Sequence, residues 1–324
     1  MGRPHVVILG AGASRACCPA GDKNGKKLPL MSDLIATVGL GDLLGGDSAN
    51  KNIEELYSSH QEQKENEELI NEIEKRIYAY FDSLEIPNET MLYDRLLLSL
   101  RGKDLIATFN WDPLLFFALQ RNYGKADLPQ VVYLHGNVAL GYCNDCKIFG
   151  PKKGRCHCNK VYSERSRLLY PIAEKNYGEQ DLLIKDAWNM LRQGLKNAYL
   201  LTIFGYSAPA SDYEAMSIFK EAWGPSAQRE LEQIEIITAP GYNEEEVSSR
   251  WDNLIHTHHY GIFDTFEHSE ATLYPRRSCE CLWSALMQCD PRKEHPIPNS
   301  TLPELWDWIR PLIEAEKKMP IKES

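Results

Sequence analysis

Unbroken apolar runs and helically spaced apolar stripes alternate along most of the chain. Runs at Val6–Leu9, Leu105–Phe109, Gln130–Leu134, Asn197–Phe204 and Ile234–Thr238, with a sixth between His256 and Phe266, predict strands. Runs without alternation belong to strands buried on both faces, as in a parallel sheet. Between the first two, Leu56, Leu69, Ile70, Ile73, Ile77, Tyr80 and Phe81 recur at helical spacing within a Glu-, Lys-, Gln- and Asn-rich stretch from Asn52 to Ser83. That stripe predicts two helices, or one broken near His60, with its apolar face toward the core. Further helices are expected over Pro29–Thr37 with Ser32 as N-cap, Thr90–Leu100, Leu114–Arg121 with Pro113 in the first turn, Leu182–Leu195 and Asp212–Trp223. Another opens on the acidic turn Asn243–Glu246, and a capped helix carrying Trp306 and Trp308 spans Thr301–Lys317. Gly39–Gly46 is a glycine-rich break, and the chain from Met319 reads as a frayed polar tail. Strand–helix alternation of this kind specifies an α/β fold around a parallel sheet.

The first strand ends in Gly10-Ala11-Gly12-Ala13-Ser14. A glycine turn opening a helix offers backbone N–H groups and the positive end of the helix dipole to a phosphate. A tight turn with no ligand is the alternative. Arg15 stands where a dinucleotide fingerprint has its third glycine, and no strand ending in Asp or Glu comes about 20 residues on. Residues 16–29, rich in Gly, Pro and Lys, read as a mobile loop over a bound phosphate. The ligand can therefore be a dinucleotide without hydride chemistry.

Other strands deliver polar residues to the same edge. Asn110 and Asp112 follow the second, His135-Gly136-Asn137 the third, and Gly205-Tyr206-Ser207 the fourth. Open α/β sheets bind ligands at their carboxyl edge. Helix capping by Asn110 and Asp112 and a purely structural His135 are the competing readings. His256, His258 and His259 read as strand-end residues rather than ligands.

Cys143 and Cys146, then Cys156 and Cys158, form two close pairs suited to a tetrahedral four-thiolate zinc site. His157 is an alternative ligand, and reduced thiols without metal are the other reading. Four thiolates leave no open position for water, so the zinc would be structural. Cys279, Cys281 and Cys289 read as packing thiols in a C-terminal helix.

The 324 residues suit one domain over 1–324, with a helical insertion at 45–101, a zinc-binding lobe at 140–178 and a C-terminal helix and tail at 290–324. The net charge of −10 argues against nucleic acid as a direct partner, because the basic clusters, Lys23–Lys27 and Lys152–Arg155, are short and lie in loops. No apolar run is long enough to span a membrane, and the N-terminus has neither a signal peptide nor a myristoylation pattern. A cytoplasmic location with reduced thiols is the expectation.

Taken together, Gly10–Ser14, Thr108-Phe109-Asn110-Trp111-Asp112, Leu134-His135-Gly136, the four-cysteine cluster and Gly205-Tyr206-Ser207 resemble the sirtuin superfamily in order and spacing. The resemblance implies a Rossmann-like sheet with helices on both faces, a smaller helical and zinc-ribbon lobe, and NAD bound between them as a substrate cleaved at its nicotinamide–ribose bond. By the same resemblance Gly10, Gly12 and Ser14 hold the pyrophosphate, and Ala11 is a further NAD-binding residue. Asn110 orients the nicotinamide ribose or a water with Asp112 beside it. His135 is the general base. Gly205 and Ser207 contact the adenosine half, and Thr238 is a further NAD-binding residue. Protein-deacylating sirtuins carry G-I-P-x-F-R after the glycine turn and F-G-E-x-L-P after the metal lobe, and neither is present here. Tyr170-Pro171-x3-Lys175 and Phe204-Gly-Tyr-Ser-Ala-Pro-x-Ser-Asp212 look more like the sirtuin-like NAD-hydrolysing domains of bacterial anti-phage proteins. That likeness implies an NAD glycohydrolase acting in defence, run as an oligomer or with an activating partner. A deacylase, an ADP-ribosyltransferase and a non-catalytic NAD or ADP-ribose sensor are the alternatives.

Overall fold

A computed structural model describes residues 2–318 apart from 45–66, 147, 163, 167, 171–181, 210–211, 226–228, 230, 253, 256–258 and 289–292. Leu56, His60, Lys175, Ser211, His256, His258, Cys289 and the tail from Met319 lie outside the described residues.

The chain opens with β1 (His5–Leu9), α1 (Ala11–Cys17), α2 (Leu34–Val38) and α3 (Gly41–Leu44). Then come α4 (Glu67–Asp82), α5 (Leu92–Ser99), β2 (Leu105–Thr108), α6 (Leu114–Asn122) and β3 (Gln130–Tyr133). A hairpin of β4 (Leu140–Cys143) and β5 (Ile148–Pro151) comes next, with the short β6 (Glu164–Arg165). The second half is α7 (Leu182–Asn197), β7 (Leu200–Phe204), α8 (Tyr213–Trp223), β8 (Gln233–Ile237), α9 (Glu244–Trp251) and β9 (Tyr260–Phe263). It closes with α10 (Glu270–Leu273), α11 (Ser278–Leu286) and α12 (Leu302–Lys317).

Six strands form one parallel sheet in the order β3-β2-β1-β7-β8-β9. Side chains alternate across it because the strand period is two. Val6 and Ile8 enter the core beneath α7, α8 and α9, with Leu105, Leu201, Trp188 and Phe219. Val7 and Leu9 enter the opposite core with α1, α4, α5 and α6. The stripe Ile73, Ile77 and Phe81 is part of that second core. Both faces of the sheet are thus covered, which is why its strands read as unbroken apolar runs. From β1 the chain builds outward to β2 and β3, then returns to pair β7 on the other side of β1. This reversal makes the adjoining carboxyl ends of β1 and β7 the topological switch point, where such sheets leave a crevice for ligands. The second sheet, β5-β4-β6, is antiparallel and carries the cysteines.

Several expectations are corrected. The helix expected over Pro29–Thr37 covers Leu34–Val38, because the Asp33 carboxylate accepts the Leu30 N–H (2.7 Å) and folds 30–33 into a turn; Ser32 is not its cap. Pro113 is the N-cap of α6 rather than a first-turn residue. The fourth core strand begins at Leu200 rather than Asn197, because α7 retains Asn197. The expected mobile loop is pinned. Asp22, 5% exposed, accepts the N–H groups of Asn24, Lys26 and Glu85. Leu30, Met31 and Ser32 reach a cavity at the switch point. No helix among the described residues is long and apolar enough to cross a membrane.

Candidate active site

The site begins with two turns pressed together. Gly10 and Gly12 close the turn after β1, and Gly205 the turn after β7. A Cβ on Gly10 would fall 2.5 Å from the Gly205 carbonyl oxygen, and one on Gly12 would fall 2.9 Å from the Gly205 Cα. Gly205 has φ +63°, and its own Cβ would clash with the Gly12–Ala13 backbone. The three glycines therefore permit backbone-on-backbone contact at the switch point. Hydrogen bonds lock it: Gly12 N–H donates to Gly205 C=O (2.9 Å), Gly10 N–H to Phe204 C=O (3.0 Å) and Ala13 N–H to Gly10 C=O (2.9 Å). These amides are committed to protein acceptors, so the turn offers a phosphate fewer free donors than its sequence implies.

Asn110 and Asp112 follow β2 at the same edge. Asn110 is 9% exposed, and its Nδ2 donates to Gly10 C=O (2.9 Å) and contacts Ser14 Oγ (2.9 Å) and the Tyr93 hydroxyl (3.3 Å). Ser14 donates its hydroxyl proton to Asp112 Oδ2 (2.6 Å), and Asp112 Oδ1 accepts the Leu114 N–H (3.1 Å). Ser14 is thus engaged inside the protein, beneath the glycine turn. Burial pushes the Asp112 carboxyl above its ordinary range, while the Ser14 and Leu114 donors pull it back. Tyr93, from α5, is fully buried with its hydroxyl 2.8 Å from Ser14 Oγ. Burial and the Asp112 charge drive that phenol well above its ordinary pKa, so it stays a neutral donor.

His135, 5% exposed, lies just beyond β3, where Gly136 turns the chain with φ +77°. Phe109 meets its ring edge to face at 4.8 Å and stacks on Tyr206 at 4.2 Å. Asn137 clamps the segment after β2 by donating to the carbonyls of Asp112 (2.7 Å) and Asn110 (3.3 Å). The hairpin leaves and returns at this point. Asn137 and Ser166 exchange hydrogen bonds (3.2 and 2.9 Å), and Leu169 N–H donates to His135 C=O (3.0 Å).

A cavity of about 530 Å³ occupies the switch point. Ligand sites run from about 300 to 1,000 Å³. Gly10, Ala11, Gly12, Asn110, His135, Gly205, Ser207 and Thr238 line it. Ser14 and Asp112 line a smaller pocket behind it. Phe109, Trp111, Tyr206 and Trp251 give the cavity aromatic walls, and Asp212 accepts the Tyr206 hydroxyl (2.8 Å) at its rim. The sequence reading has no sign of Tyr93, and it names Asn137 at this edge without a role. Tyr93 sits in a helix whose other large residues are core.

The four cysteine sulfurs of the hairpin lie within 4.8 Å of one another, with Cys143 and Cys158 3.6 Å apart. A tetrahedron with zinc–sulfur bonds of about 2.3 Å has edges of about 3.8 Å, so the four thiols fit a structural zinc. Cys143 and Cys156 are buried and Cys158 is exposed, at the end of the hairpin away from the sheet.

No family model matches the chain, and no curated protein matches it. Solved structures with a similar course include Sir2 bound to an inhibitor, 2'-O-acetyl-ADP-ribose and a deacetylated p53 peptide. It is 18% identical, covers 88% of this chain and 94% of that one, and has a TM-score of 0.38. A structure described as the basis of sirtuin substrate affinity is 20% identical over 81% of this chain and 89% of that one, TM-score 0.40. A Sir2–p53 peptide–NAD+ complex is 19% identical over 88% and 93%, TM-score 0.37.

Proposed function

We propose that the chain is an NAD glycohydrolase of the sirtuin superfamily, converting NAD+ and water to nicotinamide, ADP-ribose and a proton. The observation that carries this reading is convergence. Motifs spread from Gly10 to Ser207 bring Asn110, His135 and both glycine turns to one cavity at the switch point of the sheet. In the reaction the C1′–N bond breaks, its electron pair neutralises the pyridinium ring, and a water oxygen bonds to C1′ and releases a proton. Asn110 holds the ribose or the water. His135 accepts the proton, the general-base role an imidazole can fill. Asp112 acts through Ser14 on Asn110 rather than on the substrate.

The residues after the glycine turn favour hydrolysis over deacylation. Arg15 is drawn away to Asp33 (2.5 Å) and the Leu28 carbonyl (2.8 Å), and the motifs that form an acyl-peptide groove are missing. The four-cysteine cluster favours the second reading, an NAD-dependent deacylase, because deacylases typically retain it. The Tyr170 and Phe204–Asp212 resemblances support a place among NAD-depleting defence proteins, gated by assembly or a partner.

Nicotinamide release from NAD+ by the purified protein, with and without an acetyl-lysine peptide, tests the proposal. Release without peptide is expected, lowered at least 100-fold in Asn110→Ala and His135→Ala. Release only with peptide would overturn it in favour of the deacylase.

A further inference from the structure

We propose that Tyr93 is a positioning residue, whose buried hydroxyl acts through Ser14 to hold the Asn110 amide with its oxygen toward the cavity. Its effect on rate rests on the NAD-cleaving reading; its geometry does not.

Counting donors and acceptors gives the direction of every bond. A serine hydroxyl has one proton and two lone pairs. Ser14 gives its proton to Asp112 Oδ2 at 2.6 Å, so its oxygen can only accept from the other two neighbours. Asn110 Nδ2 at 2.9 Å fills one lone pair, and the Tyr93 O–H at 2.8 Å fills the other. The chain therefore runs one way, from Tyr93 to Ser14 to Asp112. The remaining Nδ2 proton of Asn110 goes to the Gly10 carbonyl at 2.9 Å. Both amide protons are spent on protein, which leaves Oδ1 as the acceptor a ligand hydroxyl or water can meet.

The reversed amide finds a single donor, the Tyr93 hydroxyl at 3.3 Å, and only if that proton leaves Ser14. Oδ1 would face the Gly10 carbonyl oxygen and a serine whose proton is already committed. Tyr93 completes this arrangement from outside the sheet: it is 0% exposed and comes from α5, not from the strand-end motifs. Removing its hydroxyl opens a lone pair on Ser14 and a space beside Asn110 Nδ2. Ser14 can then turn, and the amide loses its single solution. This also gives Ser14 a task other than binding phosphate.

Tyr93→Phe keeps the ring and deletes the donor. Crystals of that variant are expected to show the Asn110 amide rotated off the Gly10 carbonyl. Nicotinamide release is expected to fall at least tenfold in kcat, with KM for NAD+ within about twofold and the unfolding midpoint within a few degrees of the parent. Ser14→Ala breaks the same chain from its other end and decides the matter if Tyr93→Phe does not fold. Where both fold, the double variant should be no slower than the slower single one, because residues acting as a unit are not additive. An Asn110 amide unmoved in the variant crystals overturns the proposal, as does additive loss. If the parent releases no nicotinamide, the NAD-cleaving reading fails by itself, and the amide's position in the variant crystals still decides the role of Tyr93.

Discussion

Gly205 meets two constraints that no other residue satisfies. Its φ of +63° costs a side-chain-bearing residue about 1–2 kcal/mol, and a Cβ there would also collide with the Gly12–Ala13 backbone. Backbone has no rotamer with which to yield. Gly205→Ala is therefore expected to destabilise by more than about 3 kcal/mol, or to prevent folding. Gly241 is the control: φ is +79°, but nothing lies within 4 Å of its Cβ position, so Gly241→Ala should cost only about 1 kcal/mol. Urea unfolding of both variants checks the difference; equal costs would mean that the packed turns are unimportant. The sequence shows these glycines but not this reason for them. Gly10 and Gly205 read as separate ligand turns, whereas Gly10 abuts the Gly205 carbonyl, across 195 positions of chain, and Gly205 abuts the Gly12–Ala13 backbone. Tyr93 was hidden differently, since a phenol at helical spacing looks the same whether its hydroxyl is idle or employed.

The hairpin β4–β5 is an element with little core of its own. Its cluster contains Cys143, Cys156 and Tyr162, with Cys146 and Ile148 partly buried against them. Such a module depends on metal for its folding free energy. One zinc per chain is expected by elemental analysis, and a chelator should lower the unfolding midpoint. Because the hairpin's neck ties Asn137 to Ser166 and Leu169 to the His135 carbonyl, metal loss should also loosen His135 and reduce turnover several-fold. Restoring zinc should restore both. Metal-free protein with unchanged stability and rate would show that the cluster is dispensable. Elements of this kind mark the border of what the chain reveals. The core strands were legible because burial on both faces writes an unbroken apolar run, and the cysteine spacing was legible because coordination fixes it. The strands of the hairpin were not, since Ile148-Phe149-Gly150-Pro151 is short, half-exposed and organised by thiols rather than by alternation. Asp33 and Asp22 capture their local backbones by side-chain hydrogen bonds, which explains the shifted start of α2 and the pinned loop.

At the scale of the whole molecule, a buried polar chain crosses the centre of the sheet and sets a pH dependence of stability. His5 on β1 contacts Thr202 Oγ1 (2.7 Å) and Ser278 Oγ (2.9 Å), and Thr202 donates to Glu235 Oε2 (2.6 Å). Glu235 Oε1 accepts the Glu270 N–H (2.9 Å). Burial, with Lys103 adding to it, lowers His5 from 6.5 to about 3. The unfolded chain thus binds a proton that the folded one refuses between those values, and stability falls as pH drops from 6.5 toward 3. The glutamates act oppositely. Burial raises Glu235 to about 7 and, with the Glu235 charge, Glu270 to about 8. The folded protein holds these protons more tightly than the unfolded chain, whose glutamates titrate near 4.5, so stability falls as pH rises from 4.5 through 8. Asp104, which accepts the His5 N–H, is raised by burial and adds to the same side. Two glutamates outweigh one histidine between 4.5 and 6.5, and above 6.5 His5 no longer opposes them. The unfolding midpoint is therefore expected to be several degrees higher at about pH 5.5 than at about pH 8.5. Glu235→Gln keeps an acceptor for the Glu270 N–H, removes one ionisation and relieves the repulsion on Glu270. It should flatten that slope by at least half, as measured by thermal unfolding across the range. A slope unchanged by the substitution would place the pH dependence elsewhere in the molecule.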